Sequence, residues 1–269
     1  MFTGLVRTAH LGPCLVITAL TVLVGVAASV DALTLTGVGI VVLLGQLSIG
    51  WSNDVIDAAR DRAAGRSDKP IARGDVEARA VWTAALVSLT ASLVLSLVFG
   101  WWFVITHAIT VAAGWAYNIR LKRSWASGVA FIVSFGLLPS LATLAVSPPR
   151  FAPLAETIAA ASIGVSVHLA NTLPDLEDDV RVGVRGLPHL LGRRGSAVLC
   201  FATLIAGAAA LAIHQANPIA VAGFMLVAVI GVAGLVLALR RRRSRAVFWL
   251  VVVAALLLAL QLIVVEALR

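Results

Sequence analysis

Apolar stretches of about twenty residues recur along this chain, and nothing constrains its fold more. A hydrocarbon core of roughly 30 Å needs about 20 apolar residues per helix. By that rule nine spans fall at 11–30, 33–54, 79–99, 101–119, 126–146, 155–173, 195–214, 218–239 and 246–266. Hydrophobic residues make up 60% of the chain and charged residues 13%, too lopsided for a soluble core. The sequence therefore predicts an all-α integral membrane protein. The first span is long for the apolar part of a signal peptide, and more spans follow, so it reads as an uncleaved helix.

The charges orient these spans. Arg7 precedes the first. Arg60, Arg62, Arg66, Lys69, Arg73 and Arg79 lie between the second and third, and Arg120, Lys122 and Arg123 between the fourth and fifth. Arg181, Arg185, Arg193 and Arg194 lie between the sixth and seventh, and Arg240 to Arg243 with Arg245 between the eighth and ninth. In a nine-span chain all of these fall on one side, while the other carries only Arg150 and Arg269. The positive-inside rule places the basic side and the N-terminus in the cytoplasm, in a multi-pass protein of the cell membrane. The net charge of +8 is then an orientation signal, and no nucleic-acid partner is expected. The run from Arg240 to Arg245 suits anionic lipid head groups or a plain topology anchor, and carries no chemical role.

Against this background the carboxylates gather. Asn53, Asp54, Asp57 and Asp61 lie within nine positions at the end of the second span. On a helix Asn53, Asp57 and Asp61 share one face at i, i+4 and i+8, and like charges there repel unless something positive lies over them. Carboxylates beside an amide suit a hard cation such as Mg²⁺, which keeps waters and shares its shell with phosphate. Arg66, Lys69 and Arg73 follow at once. A solvated loop of mixed charge is the bland reading of this stretch alone. It loses ground because the sixth span ends similarly. There Asn171, Asp175 and Asp179 repeat the spacing, with Glu177 and Asp178 beside them, and Pro174 is expected to kink the helix or open its last turn. Both sets open on the same membrane face, and ionisable residues at membrane depth are expensive and usually functional. Together they point to a metal–diphosphate site.

The fourth span ends in Tyr117 to Trp125, YNIRLKRSW. Taken alone this is an aromatic belt with positive anchors. Beside two acidic sets, Tyr117 and Lys122 are placed to donate to phosphate oxygens. His10, His107, His168, His189 and His214 form no ligand pattern. Cys14 and Cys200 lie inside spans without metal spacing and read as small packing residues.

With these residues placed, the chain resembles the UbiA superfamily of intramembrane aromatic prenyltransferases. Its first aspartate-rich motif is matched by Asn53, Asp54, Asp57 and Asp61, and its second by Asp175 and Asp179, preceded by Asn171. The family's Arg-Pro-Ile segment is matched by Lys69-Pro70-Ile71, with lysine keeping the charge but losing the bidentate fork. YNIRLKR is similar to the family's Tyr…Leu-Lys-Arg segment, and Arg7 to an arginine on the acceptor side. The resemblance implies one domain over residues 1–269, about nine transmembrane helices in a bundle around a central cavity, and Mg²⁺ as cofactor. It implies a metal set of Asn53, Asp54, Asp57, Asp61, Asp175 and Asp179, of which Asp57, Asp61, Asp175 and Asp179 are the expected catalytic carboxylates. Asp54 lies off the azimuth of its neighbours, so bracing the site is its other role. Arg66, Lys69, Tyr117, Lys122 and Asn171 are expected at the diphosphate, and Arg7 at the acceptor. The implied partners are an isoprenyl diphosphate, a lipophilic acceptor and membrane lipid. A terpene cyclase that closes the donor on itself would keep the same site. A transporter is the reading from another class, and clusters at one face rather than at midplane weigh against it.

Overall fold

The computed structural model describes residues 2–63, 65, 69–181, 183–240 and 245–268. Among them there is no strand. A short amphipathic turn, α1 (Phe2–Thr8), leads into α2 (Leu11–Ala27) and α3 (Ala32–Ala63). Then come α4 (Pro70–Arg73), α5 (Ala78–Ser96), α6 (Trp101–Ile119), α7 (Ser127–Leu144) and α8 (Leu154–Thr172). The chain ends with α9 (Leu176–Arg181), α10 (Leu187–Gln215), α11 (Pro218–Arg240) and α12 (Ala246–Ala267). Each expected span has its helix. Among the described residues α3, α7, α10, α11, α12 and the stretch Ala78–Phe99 that contains α5 are long and apolar enough to cross a bilayer. The shorter α2 is strongly apolar; α6 and α8 have the length but carry more polar residues, and both turn some of these inward. This is an all-helical, multi-pass membrane protein.

The long helices close a ring. α2 packs on α3, α3 on α6, α6 on α7, α7 on α8, α8 on α10, α10 on α11, α11 on α12, and α12 returns to α2. α5 packs chiefly on α3. One apolar core, including Val38, Phe103, Leu141, Leu169, Phe201 and Leu258, runs through the ring. Since lipid tails are as apolar as leucine, helix contacts here depend on close packing, which small residues permit. A Cβ on Gly50 would stand 2.3 Å from the Ala9 carbonyl oxygen, and one on Gly164 2.5 Å from that of Phe131. The first approach brings the α1–α2 junction down onto α3; the second joins α7 to α8.

Local signals explain where helices start and stop. Asp31 caps α3, its Oδ1 accepting from the N–H groups of Leu33 and Thr34 at 3.0 Å each. α3 then runs unbroken to Ala63, well past the apolar run, so it carries Asn53, Asp57 and Asp61 on one face. The second set is arranged differently. α8 ends at Thr172, residues 173–175 form a turn, and α9 begins at Leu176. Asn171, Asp175 and Asp179 therefore do not share one continuous helical face. Pro174, without an N–H and clashing with the preceding turn, ends the helix there. α10 starts earlier than its apolar run because a short segment from Leu187 precedes a break at Gly192, whose φ of 65° favours glycine.

Candidate active site

Inside the ring lies a cavity of about 550 Å³. Its polar end collects Asn53, Asp54, Asp57 and Asp61 from α3 and Asn171, Asp175 and Asp179 from the α8–α9 break. Lys69 lines it just ahead of α4, Tyr117 from α6, and Arg7 ahead of α2. Two acidic sets separated by more than a hundred residues thus face one space. Lys122 is the exception among the described candidates: it is buried behind Asp57 rather than on the cavity wall. Arg66 lies outside the described residues.

The α3 carboxylates are buried, which is tolerable only because each faces a positive group. Asp57 accepts from Arg60 Nη2 through Oδ2 at 2.6 Å and from the Lys122 ammonium through Oδ1. The same Arg60 nitrogen stands 3.8 Å from Asp61 Oδ1. Burial pushes the Lys122 ammonium below its ordinary pKa, and the Asp57 carboxylate pulls it back up. Asp54 Oδ1 accepts from Lys69 Nζ at 2.7 Å and lies 2.8 Å from His10 Nε2. Those contacts tie α3 to the chain ahead of α2 and to the start of α4.

Across the cavity the second set is more open. Asn171 and Asp175 are exposed to it. Behind Asp179 sits His189, whose Nδ1 accepts from the Gly186 N–H at 3.0 Å. The proton is thereby assigned to Nε2, 3.6 Å from Asp179 Oδ2. Tyr117 meets Phe131 and His168 edge-on, and His168 pairs with Ser127 Oγ at 2.9 Å, so its ring is a satisfied buried contact. Asn118 donates to the Ile49 carbonyl and to Ser52 Oγ, both at 2.9 Å, locking α6 to α3 beside the acids.

Several residues at the site escape a motif reading. Arg60 looks like another topology arginine, although its i+3 spacing from Asp57 is the usual helical ion-pair distance. His10 and Arg245 lie far from either motif in sequence, yet both line the cavity. His189 had only its nearness to the second set to mark it.

The donors suit Mg²⁺ and diphosphate. Among the described residues no three His, Cys, Asp or Glu side chains form a ready cage. Mg²⁺ does not need one: it typically takes one or two carboxylates, several waters and substrate phosphate oxygens. Carboxylates on two walls of one cavity, with amides at Asn53 and Asn171, supply such ligands. Arg60 Nη1 is buried with no hydrogen-bond partner, a cationic donor at the edge of the acidic set.

Fold and site together define an intramembrane enzyme-like bundle with an acidic, cation-lined mouth. The UbiA prenyltransferase family model matches residues 14–266, and the chain belongs to that family. It is 30% identical over 163 residues to the bacteriochlorophyll synthase 33 kDa chain of Cereibacter sphaeroides, covering 58% of this chain and 52% of that one. The corresponding protein of Rhodobacter capsulatus is 30% identical over 169 residues, covering 56% and 54%. The chain thus spans about half the length of the curated relatives it matches. The fold matches a UbiA homolog from Archaeoglobus fulgidus, described as bound to GPP and Mg²⁺, with a TM-score of 0.77 at 14% identity over 98% of this chain and 99% of that one. It matches the apo UbiA homolog of Aeropyrum pernix K1 with a TM-score of 0.76 at 16% identity, over 93% and 97%.

Proposed function

We propose that this protein is a Mg²⁺-dependent intramembrane prenyltransferase, moving an isoprenyl group from its diphosphate to a lipophilic acceptor. The observation that carries the reading is two carboxylate sets facing one cavity whose other end is apolar. Asp57, Asp61, Asp175 and Asp179, with Asn53, would hold Mg²⁺, which when bound offsets charge on the departing diphosphate. Lys69, Tyr117 and Arg60 donate to the phosphate oxygens, and Asn171 fixes their position. Lys122 holds Asp57 in place from behind, and Asp54 holds Lys69. In the reaction the C1–O bond of the donor breaks and its electron pair leaves with diphosphate. An electron pair of the acceptor forms the new bond to C1, and the acceptor proton goes to water. The apolar walls keep water from the allylic cation.

The likeness to proteins named for bacteriochlorophyll synthesis supports transfer to an acceptor over cyclisation. The UbiA homolog described with GPP and Mg²⁺ supports the donor and the metal. Protein in nanodiscs, given Mg²⁺ and an allylic diphosphate, is expected to release diphosphate only when an acceptor is added. Release without acceptor would mean cyclisation, and no release with any allylic donor would end the prenyltransferase reading.

The charge asymmetry supports a cytoplasmic site. In a background with Cys14 and Cys200 replaced by alanine, Glu77→Cys is expected to resist an impermeant thiol reagent in intact cells. Phe151→Cys, at the opposite end of the bundle, is expected to react. Labelling at position 77 from outside would reverse the orientation.

A further inference from the structure

Two turns inward of Asn53, on the same face of α3, Gln46 lines the main cavity, with Ile49 and Gly50 between them. At 1.5 Å per residue its Cα lies about 10 Å deeper than that of Asn53. Gln46 is only 9% exposed, and its amide makes no hydrogen bond among the described residues. A polar group without a partner is costly in an apolar setting, and buried amides within a membrane normally bind helices together. Gln261, also buried, does so: its Nε2 donates to Gln215 Oε1 at 2.7 Å. Ser134, on the wall of the main cavity, donates to the Thr110 carbonyl at 3.0 Å. His107 also lacks a partner, but it is stacked on Phe103, tight against Gly45 and off the cavity wall, so nothing in the cavity meets it. Gln46 is different, because its amide faces the space that the substrates enter.

We infer that Gln46 selects the acceptor: its amide hydrogen-bonds a neutral oxygen, a hydroxyl or a carbonyl, that the acceptor carries inward of its reacting atom. The donor is hydrocarbon beyond its diphosphate and offers an amide nothing to pair with. The polar group that meets Gln46 therefore belongs to the other substrate. The reacting atom must come within about 3–3.5 Å of C1 of the donor, beside the acidic mouth. An oxygen on the far side of the acceptor then falls at the level of Gln46. A charged oxygen would be held at the mouth instead, where Arg7, Lys69 and Arg245 line the cavity. Glutamine carries two N–H donors, one acceptor oxygen and no charge, so it suits a neutral oxygen and leaves no ion uncompensated inside the bilayer. A site built around such a bond strongly rejects an analogue without the oxygen, because the buried amide is then left unpaired.

The inference rests on the prenyltransferase reading, so its test measures binding apart from transfer. The probes are 4-hydroxybutyrophenone and 4-butylphenol, which match in length and differ only in a carbonyl replaced by a methylene. The protein is first loaded with Mg²⁺ and an allylic thiolodiphosphate, whose sulfur at C1 lets the donor bind without ionising. The ketone is expected to bind the wild-type protein about tenfold tighter than the alkylphenol. Gln46→Leu is expected to remove that advantage while changing alkylphenol affinity less than threefold. Since the Gln46 amide joins no helix to another, Gln46→Leu is also expected to melt no lower than wild type. Gln46→Met, unbranched like glutamine, takes its place if leucine does not fold. Equal affinity for the two probes in the wild type, or no binding of the ketone, overturns the inference. Equal weakening of both probes in the variant does so too, since an amide that only shaped the wall or held a water would act that way. Ketone-selective binding that is lost in Gln46→Leu, with no diphosphate release from any allylic donor, would keep the subsite and overturn the transferase reading instead.

Discussion

Asp57→Asn is expected to cut turnover steeply and to weaken the fold at the same time. Its carboxylate receives both the Arg60 guanidinium and the Lys122 ammonium, and the Lys122 side chain is only 6% exposed. Asparagine keeps the shape but removes the charge, so a buried ammonium loses its counter-ion. Removing one partner of a buried ion pair costs roughly 3–5 kcal/mol. The thermal transition in detergent should fall accordingly. Diphosphate release should drop by about 10²–10³, the usual penalty for losing one preorganised charge-stabilising group. The double variant Asp57→Asn/Lys122→Met separates the two effects. It removes both buried charges, so stability is expected to recover while activity does not. An Asp57→Asn protein that melts like wild type would show that Lys122 does not depend on Asp57.

The helices were legible because a bilayer imposes one length and one solvent preference on every crossing segment. The α3 site was legible for a local reason: one continuous helix turns i, i+4 and i+8 into a shared face. The same spacing misleads at the second set, where Pro174 breaks the helix between Asn171 and Asp179. Those residues reach the cavity through a turn and a new helix rather than along one face.

What stayed hidden was the pairing of charges across helices. Nothing near Asp54 in sequence points to His10, forty-four positions away. The pair exists because Gly50 lets the backbone at Ala9 come within contact of α3. Lys122 reads as a phosphate ligand from its motif; only the packing of α6 against α3 turns it toward Asp57. The ring order was equally hidden, since helices apolar on every side give no azimuth from pattern alone.

Asp175→Asn is expected to give the opposite combination to Asp57→Asn: lost activity with an unchanged fold. Asp175 sits in the turn after α8, exposed to the cavity, with no ion-pair partner among the described residues. Its neutralisation strands no buried cation and breaks no helix contact, so the thermal transition should stay within error of wild type. Charge repulsion with Asp179 would even ease. The carboxylate's remaining use is toward what enters the cavity. Diphosphate release at limiting Mg²⁺ should therefore fall by about 10²–10³. Raising Mg²⁺ should recover part of the loss, because a weakened site can still be filled by mass action. Glu77→Gln, at an exposed carboxylate outside both sets, is the control and is expected to leave rate and metal dependence unchanged. A wild-type rate for Asp175→Asn at limiting Mg²⁺ would take the α8–α9 turn out of the metal site. The first acidic set would then have to bind the diphosphate alone, and the two-walled site proposed here would fall.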